Sequence, residues 1–257
     1  MIRLKPGVWT PEKKKGRGRG WESLPRDMVQ ALEGIESLSR EGKLPLISPD
    51  QQREIAEGFL NKHRASLEAT ERKLKSLVLG RVKGRVKEVS SALGKLVRRP
   101  SPIEIALKDR GTYSKVDEIM DGTGLRVVSS LEDIPKNAQA VRENFTVIYE
   151  DDWIQRPKQG YRSLHMVFQD HDGLLKEVQL RTEAMDTWAE WSHAVYKAPE
   201  EVEKMLSDED REQIQDYALR MSQYYAEKEK NGARAPTPAP CPPVVLKVFG
   251  CLPEHRV

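Results

Sequence analysis

An α/β (α+β) fold, a mixed β-sheet packed with helices and extended by helices at both ends, is the class this sequence predicts. Three observations predict it. Between residues 79 and 197 short β-branched runs alternate with helical patterns, the order that builds one sheet layered with helices. The flanking segments carry helical periods without strand alternation. The third is "GYRSLHMVFQDHDGLLKEVQLRT" (160–182), two alternating runs on either side of the turn "DHDG", which is a hairpin signal.

Taken in order, residues 1–23 place Gly, Pro and the run "KKKGRGR" where a hydrophobic period would be, and read as a mobile basic arm. A first amphipathic helix is expected over about 24–41, with Met28, Leu32 and Ile35 on one stripe and Gly42 as its stop. Ser48, Pro49 and Gln51 fit the N-cap, the first helical position and the third position of a capping box. The helix they start has the stripe Ile55, Phe59, His63, Leu67, Leu74, and at 1.5 Å per residue forms a rod of about 40 Å. His63 on that stripe, with no partners at ligand spacing, reads as a packed, hydrogen-bonded residue. These helices occupy 24–78.

The core is expected over 79–198. "LVLGRVKGRV" alternates like a strand, "KEVSSALGKLV" reads as a helix broken by Pro100 and Pro102, and "GLRVVSS" (124–130) and "FTVIYE" (145–150) are strands around the helix "LEDIPKNAQAVREN". After the hairpin come the helix "EAMDTWAEWSHAVYK" and, over 199–232, one or two charged helices. Ser207 with Asp210 marks a fresh N-terminus there, and Asn231-Gly232 ends the element. A Pro-rich tail, 233–257, turns apolar at 244–252, a stretch expected to dock on this chain or on a partner.

Composition narrows the classes. The 257 residues are long enough for a sizeable core, and at 38% hydrophobic and 32% charged residues no run is long enough to span a bilayer. The N-terminus lacks an apolar core followed by a cleavage site, so the expected location is the cytoplasm, with no membrane partner. Net charge is +3, from 43 basic and 40 acidic residues, and it announces no nucleic-acid binder by itself. Its distribution is uneven: bases crowd 13–19 and 80–99, acids 199–216. Cys241 and Cys251 have no further cysteines to complete a zinc site with, and in a cytosolic protein are expected as free thiols.

Strand alternation places Glu177, Gln179 and Arg181 on one face with Val178 and Leu180 toward the core, and Tyr161, Ser163 and His165 on one face against Leu164, Met166 and Phe168. An odd-numbered loop puts His165 opposite Glu177 and both polar sets on one surface; an even one separates them. Asp121 stands in "DGTGLRV" at the start of a strand, where a side chain enters a crevice. Asp121 and Glu177 could together hold Mg²⁺, which takes one or two carboxylates plus substrate phosphates. Arg85 and Lys87 on a strand, and Ser91 and Lys95 one turn apart on the following helix, supply cations and donors for phosphates. A basic segment standing alone would read as a solvated face.

With these residues assembled, the chain resembles the synthetase domain of the RelA/SpoT family, which makes the alarmones pppGpp and ppGpp. Four blocks carry the resemblance: "GRVKEVSSALGKL" (84–96), "DGTGLRV" (121–127), "DDWIQRPKQGYRSLHMVF" (151–168) and "EVQLRTEAMDTWAEWSHAVYK" (177–197). It implies a nucleotidyltransferase-like mixed sheet and transfer of the β,γ-pyrophosphate of ATP to the 3′-hydroxyl of GDP or GTP, with Mg²⁺. It also implies roles: Asp121 for the metal; Glu177 for assisting the metal and taking the hydroxyl proton; Tyr161 for stacking on guanine. Lys158, His165 and Gln179 fall in the acceptor site, and Arg85, Lys87, Ser91 and Lys95 on ATP. Arg126 matches on the ATP side and Arg181 on the acceptor side, and His193 matches as well. Relatives of this small single-domain type often form tetramers.

Three departures from the family pattern are read in the sequence, one of them that no long regulatory region is expected after the synthetase block. One residue separates Lys158 from Gly160 where the family often has two, which shifts the acceptor loop. The one "HD" pair, His171-Asp172, sits in the hairpin turn without a second His/Asp cluster, so the chain is expected to make its product without hydrolysing it. Two other functions compete. Toxic relatives modify the 3′ end of tRNA or adenosine nucleotides, a reading that fits the basic arm and brings in a neutralising partner protein. A binding-only module is opposed by retention of both Asp121 and Glu177.

Overall fold

The computed structural model describes residues 24–41, 48–97, 119–196, 198–232 and 237–253. The basic arm, Gly42, Pro100 and Pro102 lie outside the described residues.

Helix α1 spans Arg26–Arg40 and buries Leu32 and Ile35. Helix α2, Pro49–Leu77, opens on the expected capping box: Ser48 Oγ accepts from the Gln51 amide at 3.2 Å and Gln51 Oε1 from the Ser48 amide at 3.0 Å, so two of the otherwise unpaired donors of the first turn are satisfied. Strand β1 (Arg81–Val86), helix α3 (Val89–Val97), strand β2 (Thr123–Val128), helix α4 (Ile134–Asn144) and strand β3 (Thr146–Asp152) follow, then the hairpin strands β4 (Leu164–Gln169) and β5 (Leu175–Arg181). Helices α5 (Glu183–Tyr196), α6 (Glu200–Met205), α7 (Asp208–Asn231) and α8 (Pro243–Val248) complete the described chain. The Ser207–Asp210 capping box starts α7, and Gly232, at φ 56°, stops it. Among the described residues no helix is long and apolar enough to cross a membrane.

The sheet order is β1-β2-β5-β4-β3, antiparallel except for the central β2–β5 pair. One face carries Leu125, Val127, Met166, Phe168, Val178 and Leu180 into a core closed by Leu74 of α2 and by Ile134, Ala138 and Val141 of α4. On the other face Val167 joins a cluster built from α1, α2 and α3, while α5 and α7 form a third cluster around Trp188, Tyr217 and Met221. The second face therefore stays open between two helical groups.

The hairpin keeps the expected face and shifts the partner. The loop Asp170–Leu174 has an odd number of residues, so both polar sets share a surface, but the register pairs His165 with Gln179 and Val167 with Glu177. β4 also begins later than the alternation suggested. Gln159 and Gly160, at φ 50° and 85°, turn the chain so that Tyr161 pairs back onto Lys158, leaving Tyr161 to Ser163 outside the strand.

Two features were not expected. Lys176, alternating onto the core face, is fully buried; its Nζ donates to Asp170 Oδ2 at 2.9 Å, Asp172 Oδ2 at 3.0 Å and Thr70 Oγ1 at 2.7 Å. This network ties the hairpin turn to α2. Cys241 and Cys251, expected as free thiols, form a disulfide with Cα atoms 6.0 Å apart. Helix α8 folds the tail back and brings the two into range. The apolar tail docks on its own chain: Val245 and Leu252 are buried, the Leu252 amide donates to Tyr217 Oη at 3.1 Å, and Trp191 Nε1 donates to the Gly250 carbonyl at 2.8 Å.

Candidate active site

Sheet register assembles the site. Across the open face run two rows of Cα partners, Arg85–Gly124–Glu177–Val167 and Lys83–Arg126–Gln179–His165. A Cβ added at Gly124 would meet nothing within 4 Å among the described residues, so this glycine leaves space between Arg85 and Glu177. Above the rows lies a cavity of about 790 Å³. It is walled by β1, by the Asp121 turn, by the Lys158–Tyr161 turn and by one side of α5.

Asp121 sits two residues before β2. Its Oδ2 takes Lys95 Nζ at 2.7 Å and Lys87 Nζ at 3.3 Å; its Oδ1 is buried and has no hydrogen-bond partner among the described residues. Burial holds the Lys87 ammonium below its ordinary pKa, with the neighbouring Lys95 acting in the same direction and Asp121 opposing both. An orphaned carboxylate oxygen beside two ammonium groups suits a hard cation that arrives with phosphates. Among the described residues no group of three or more His, Cys, Asp or Glu is placed to hold a metal, so phosphate and water would complete the coordination of any Mg²⁺ bound here.

The Asp121 turn is buttressed from behind. His63, on α2, is fully buried, and its Nδ1 lies 2.8 Å from Thr123 Oγ1. Burial, reinforced by the charge of Lys176, lowers its pKa to about 4, so the ring is neutral at neutral pH. Its far edge lies where a Cβ on Gly122 would be, 2.7 Å from His63 Nε2. Gly122→Ala should therefore push the Asp121 turn forward and lower turnover by about a hundredfold, as an ångström-scale misplacement does. Adding His63→Ala should recover a large part of that loss in steady-state assays. No recovery would mean that the imidazole is not what enforces the glycine.

Glu177 is pinned on two sides, by His165 Nδ1 at 2.9 Å and by Gln179 Nε2 at 2.8 Å. Burial alone would raise its pKa; the charge and hydrogen bond of His165, the Gln179 amide and the charge of Lys95 outweigh burial and bring it to about 2. The carboxylate is thus ionised at neutral pH and oriented. His165 Nε2 in turn lies 2.7 Å from Tyr161 Oη, which also accepts from Arg181 Nη2. Burial pushes the Tyr161 hydroxyl pKa up.

Of the residues picked out from sequence, Arg85, Lys87, Asp121, Arg126, Lys158, Tyr161, Glu177, Gln179, Arg181 and His193 line the cavity. Lys95 reaches it through Asp121. His165 does not line it but lies behind, buried between Tyr161 and Glu177. Ser91 is exposed on α3 and is not part of the wall. Sequence reasoning missed Trp153, which lines the cavity with its ring 4.9 Å from that of His165 and edge-on to Tyr161 at 5.2 Å. It also missed Trp188, whose ring packs so close to Gly160 that a Cβ there would come within 2.9 Å of it. Trp153 lies inside one of the four sequence blocks, but no spacing rule singles it out.

A family model described as a region found in RelA / SpoT proteins matches residues 84–201. GTP pyrophosphokinase YwaC of Bacillus subtilis (strain 168) is 34% identical over 158 residues, covering 57% of this chain and 70% of that protein. The chain belongs to the RelA/SpoT family. GTP pyrophosphokinase YjbM of the same organism is 35% identical over 141 residues, 49% of this chain and 62% of that protein, so this chain matches less than two thirds of YjbM. Among solved structures, the small alarmone synthetase 1 of Bacillus subtilis bound to its product pppGpp aligns with a TM-score of 0.50 and 28% identity, over 68% of this chain and 92% of that one. The five-stranded mixed sheet is thus an alarmone synthetase fold, and YwaC and YjbM are GTP pyrophosphokinases.

Proposed function

We propose that the chain transfers the β,γ-pyrophosphate of ATP to the 3′-hydroxyl of GDP or GTP, giving ppGpp or pppGpp and AMP. The observation that carries this reading is that Asp121, with its unpartnered buried oxygen, and Glu177, ionised and pinned, face one cavity rimmed by cations. The product-bound relative supports the choice of acceptor. Residues 79–198 form the synthetase core in this reading, with helices before and after it.

Arg85, Lys87, Lys95 and Arg126 receive the triphosphate of ATP; Tyr161, Lys158, Gln179 and Arg181 receive the acceptor. Asp121 and Glu177 would hold Mg²⁺, which neutralises phosphate charge as the pyrophosphoryl group moves. The 3′-oxygen forms a bond to the β-phosphorus, the bond from that phosphorus to the oxygen bridging the α-phosphate breaks, and AMP leaves with the bridging oxygen. Glu177 accepts a hydrogen bond from the 3′-hydroxyl and receives its proton as the new bond forms, then loses it to solvent. With a pKa of about 2 it is a weak base, so orientation of the hydroxyl is a large part of its role. His165, donating to Glu177, keeps that carboxylate aimed.

The deciding experiment offers labelled ATP and Mg²⁺ to the protein with GDP, GTP, ATP and tRNA in parallel. Label should appear in the guanosine products. Label moving only to adenosine nucleotides or to tRNA, or nowhere, overturns the assignment.

A further inference from the structure

Two guanidinium groups of the site, on different strands, meet at one oxygen. Arg126 Nη1 lies 2.8 Å and Arg181 Nη1 3.2 Å from Asp186 Oδ1. Both arginines line the cavity, whereas Asp186 sits behind them on the first turn of α5 with its side chain 10% exposed. That turn is anchored to the end of β5, because the Asp186 amide donates to the Thr182 carbonyl at 2.9 Å. Without a shared anion two guanidiniums this close repel, and the repulsion is strong where water is scarce. One carboxylate between them leaves a single net positive charge and fixes their separation.

We propose that Asp186 is a positioning residue that registers the donor half of the site against the acceptor half by holding Arg126 and Arg181 at once. The roles of the two arginines rest on the function proposed above. Arg126 has another anion, Glu190 at 2.9 Å, but Glu190 is 61% exposed, and an exposed pair contributes little. Arg181 continues the linkage: it donates to Tyr161 Oη and to Gln179 Oε1, so a shift of Asp186 reaches the aromatic ring of the acceptor side. The same helix carries Trp188, which packs on Gly160 of the acceptor turn. Displacing Asp186 would misalign two nucleotides that must meet in line, without removing any group that touches them.

Three versions of the full chain test this: unaltered, Asp186→Asn and Asp186→Glu. In ¹⁵N NMR of the nucleotide-free protein, the guanidinium signals of Arg126 and Arg181 should both be rotationally restrained; in Asp186→Asn both should shift, with Arg126 losing its restraint and Arg181, still donating to Tyr161, Gln179 and Ser163, keeping it. Turnover in Asp186→Asn should fall by about a hundredfold, while affinities for GDP and for a non-hydrolysable ATP analogue, measured by direct titration, stay within about threefold. Asp186→Glu, which keeps the charge, should recover most of the turnover. Freely rotating guanidiniums in the unaltered protein, unchanged turnover in Asp186→Asn, or a Glu variant as impaired as the Asn variant would overturn the proposal. If the unaltered protein transfers to no acceptor while both guanidiniums are restrained, the assigned reaction fails and the positioning role stands.

Discussion

Glu177→Gln should abolish pyrophosphate transfer while leaving the binding of an ATP analogue nearly unchanged. The replacement keeps size and one of the two oxygens that accept from His165 and Gln179, turns the other into an NH₂ group, and removes the charge that receives the hydroxyl proton. A positioned proton acceptor contributes roughly 10²- to 10⁴-fold to such a step, and the lost orientation of the 3′-hydroxyl adds to that. Donor affinity should be spared because the cations nearest the donor side have an anchor other than Glu177. Lys87 and Lys95 are held by Asp121 instead. Single-turnover kinetics together with analogue titration separate the two effects. Unchanged turnover would remove Glu177 from proton transfer; equal loss of turnover and donor binding would recast it as a residue needed for ATP affinity.

The second large effect is on stability. Lys176→Met leaves Asp170, fully buried, without its ammonium partner, and breaking a buried pair from one side costs about 3–5 kcal/mol. Burial alone would raise the pKa of the Asp170 carboxyl, but hydrogen bonds from Thr70, His171 and Lys176 outweigh burial and hold it below the usual carboxylate range. Because the folded-state value is depressed, Asp170 contributes stability at pH values above its unfolded pKa of about 4, and that contribution fades as pH falls toward the folded value. Urea unfolding of the unaltered protein should therefore weaken as the medium is acidified below about pH 4. The single variant should be less stable at neutral pH, and Lys176→Met with Asp170→Leu should recover most of the loss, since apolar replacement of a whole buried pair is often neutral. A double variant no better than the single one would show that the network does more than satisfy its own charges.

Features governed by neighbours in sequence were legible before the structure. Ser48 and Ser207 each sit three residues before the side chain that completes the capping box, so both helix starts could be read. The alternation that gives Glu177, Gln179 and Arg181 one face could be read too, whereas the parity of the loop after Gln169, which brings His165 onto that face, stayed open until the structure showed it. Contacts across long separations could not be read. Lys176 meets Thr70 over 106 residues, and nothing local distinguishes a lysine that alternates into a core from one at a strand edge. Asp186 shares an oxygen with two arginines of two strands, a relation that exists only once the sheet is formed. Cys241 and Cys251 were weighed by compartment, whereas the fold of α8 between them governs whether they meet. In the site, the family resemblance carried most residues to the cavity, and it did not reveal that His165 supports the wall from behind or that Trp153 belongs to it.

The parallel pairing at the centre of the sheet has a consequence for biosynthesis. β2 and β5 are neighbours in space but are separated by the whole of α4, β3 and β4, so the contact that brings Asp121 and Glu177 to one cavity closes a long loop and is slow to form. A ribosome that has released residues only as far as β4 has exported the strand next to Asp121 but not the one bearing Glu177. Such a nascent polypeptide lacks half of the candidate site, and the proposed pyrophosphate transfer would have to wait until translation has passed β5.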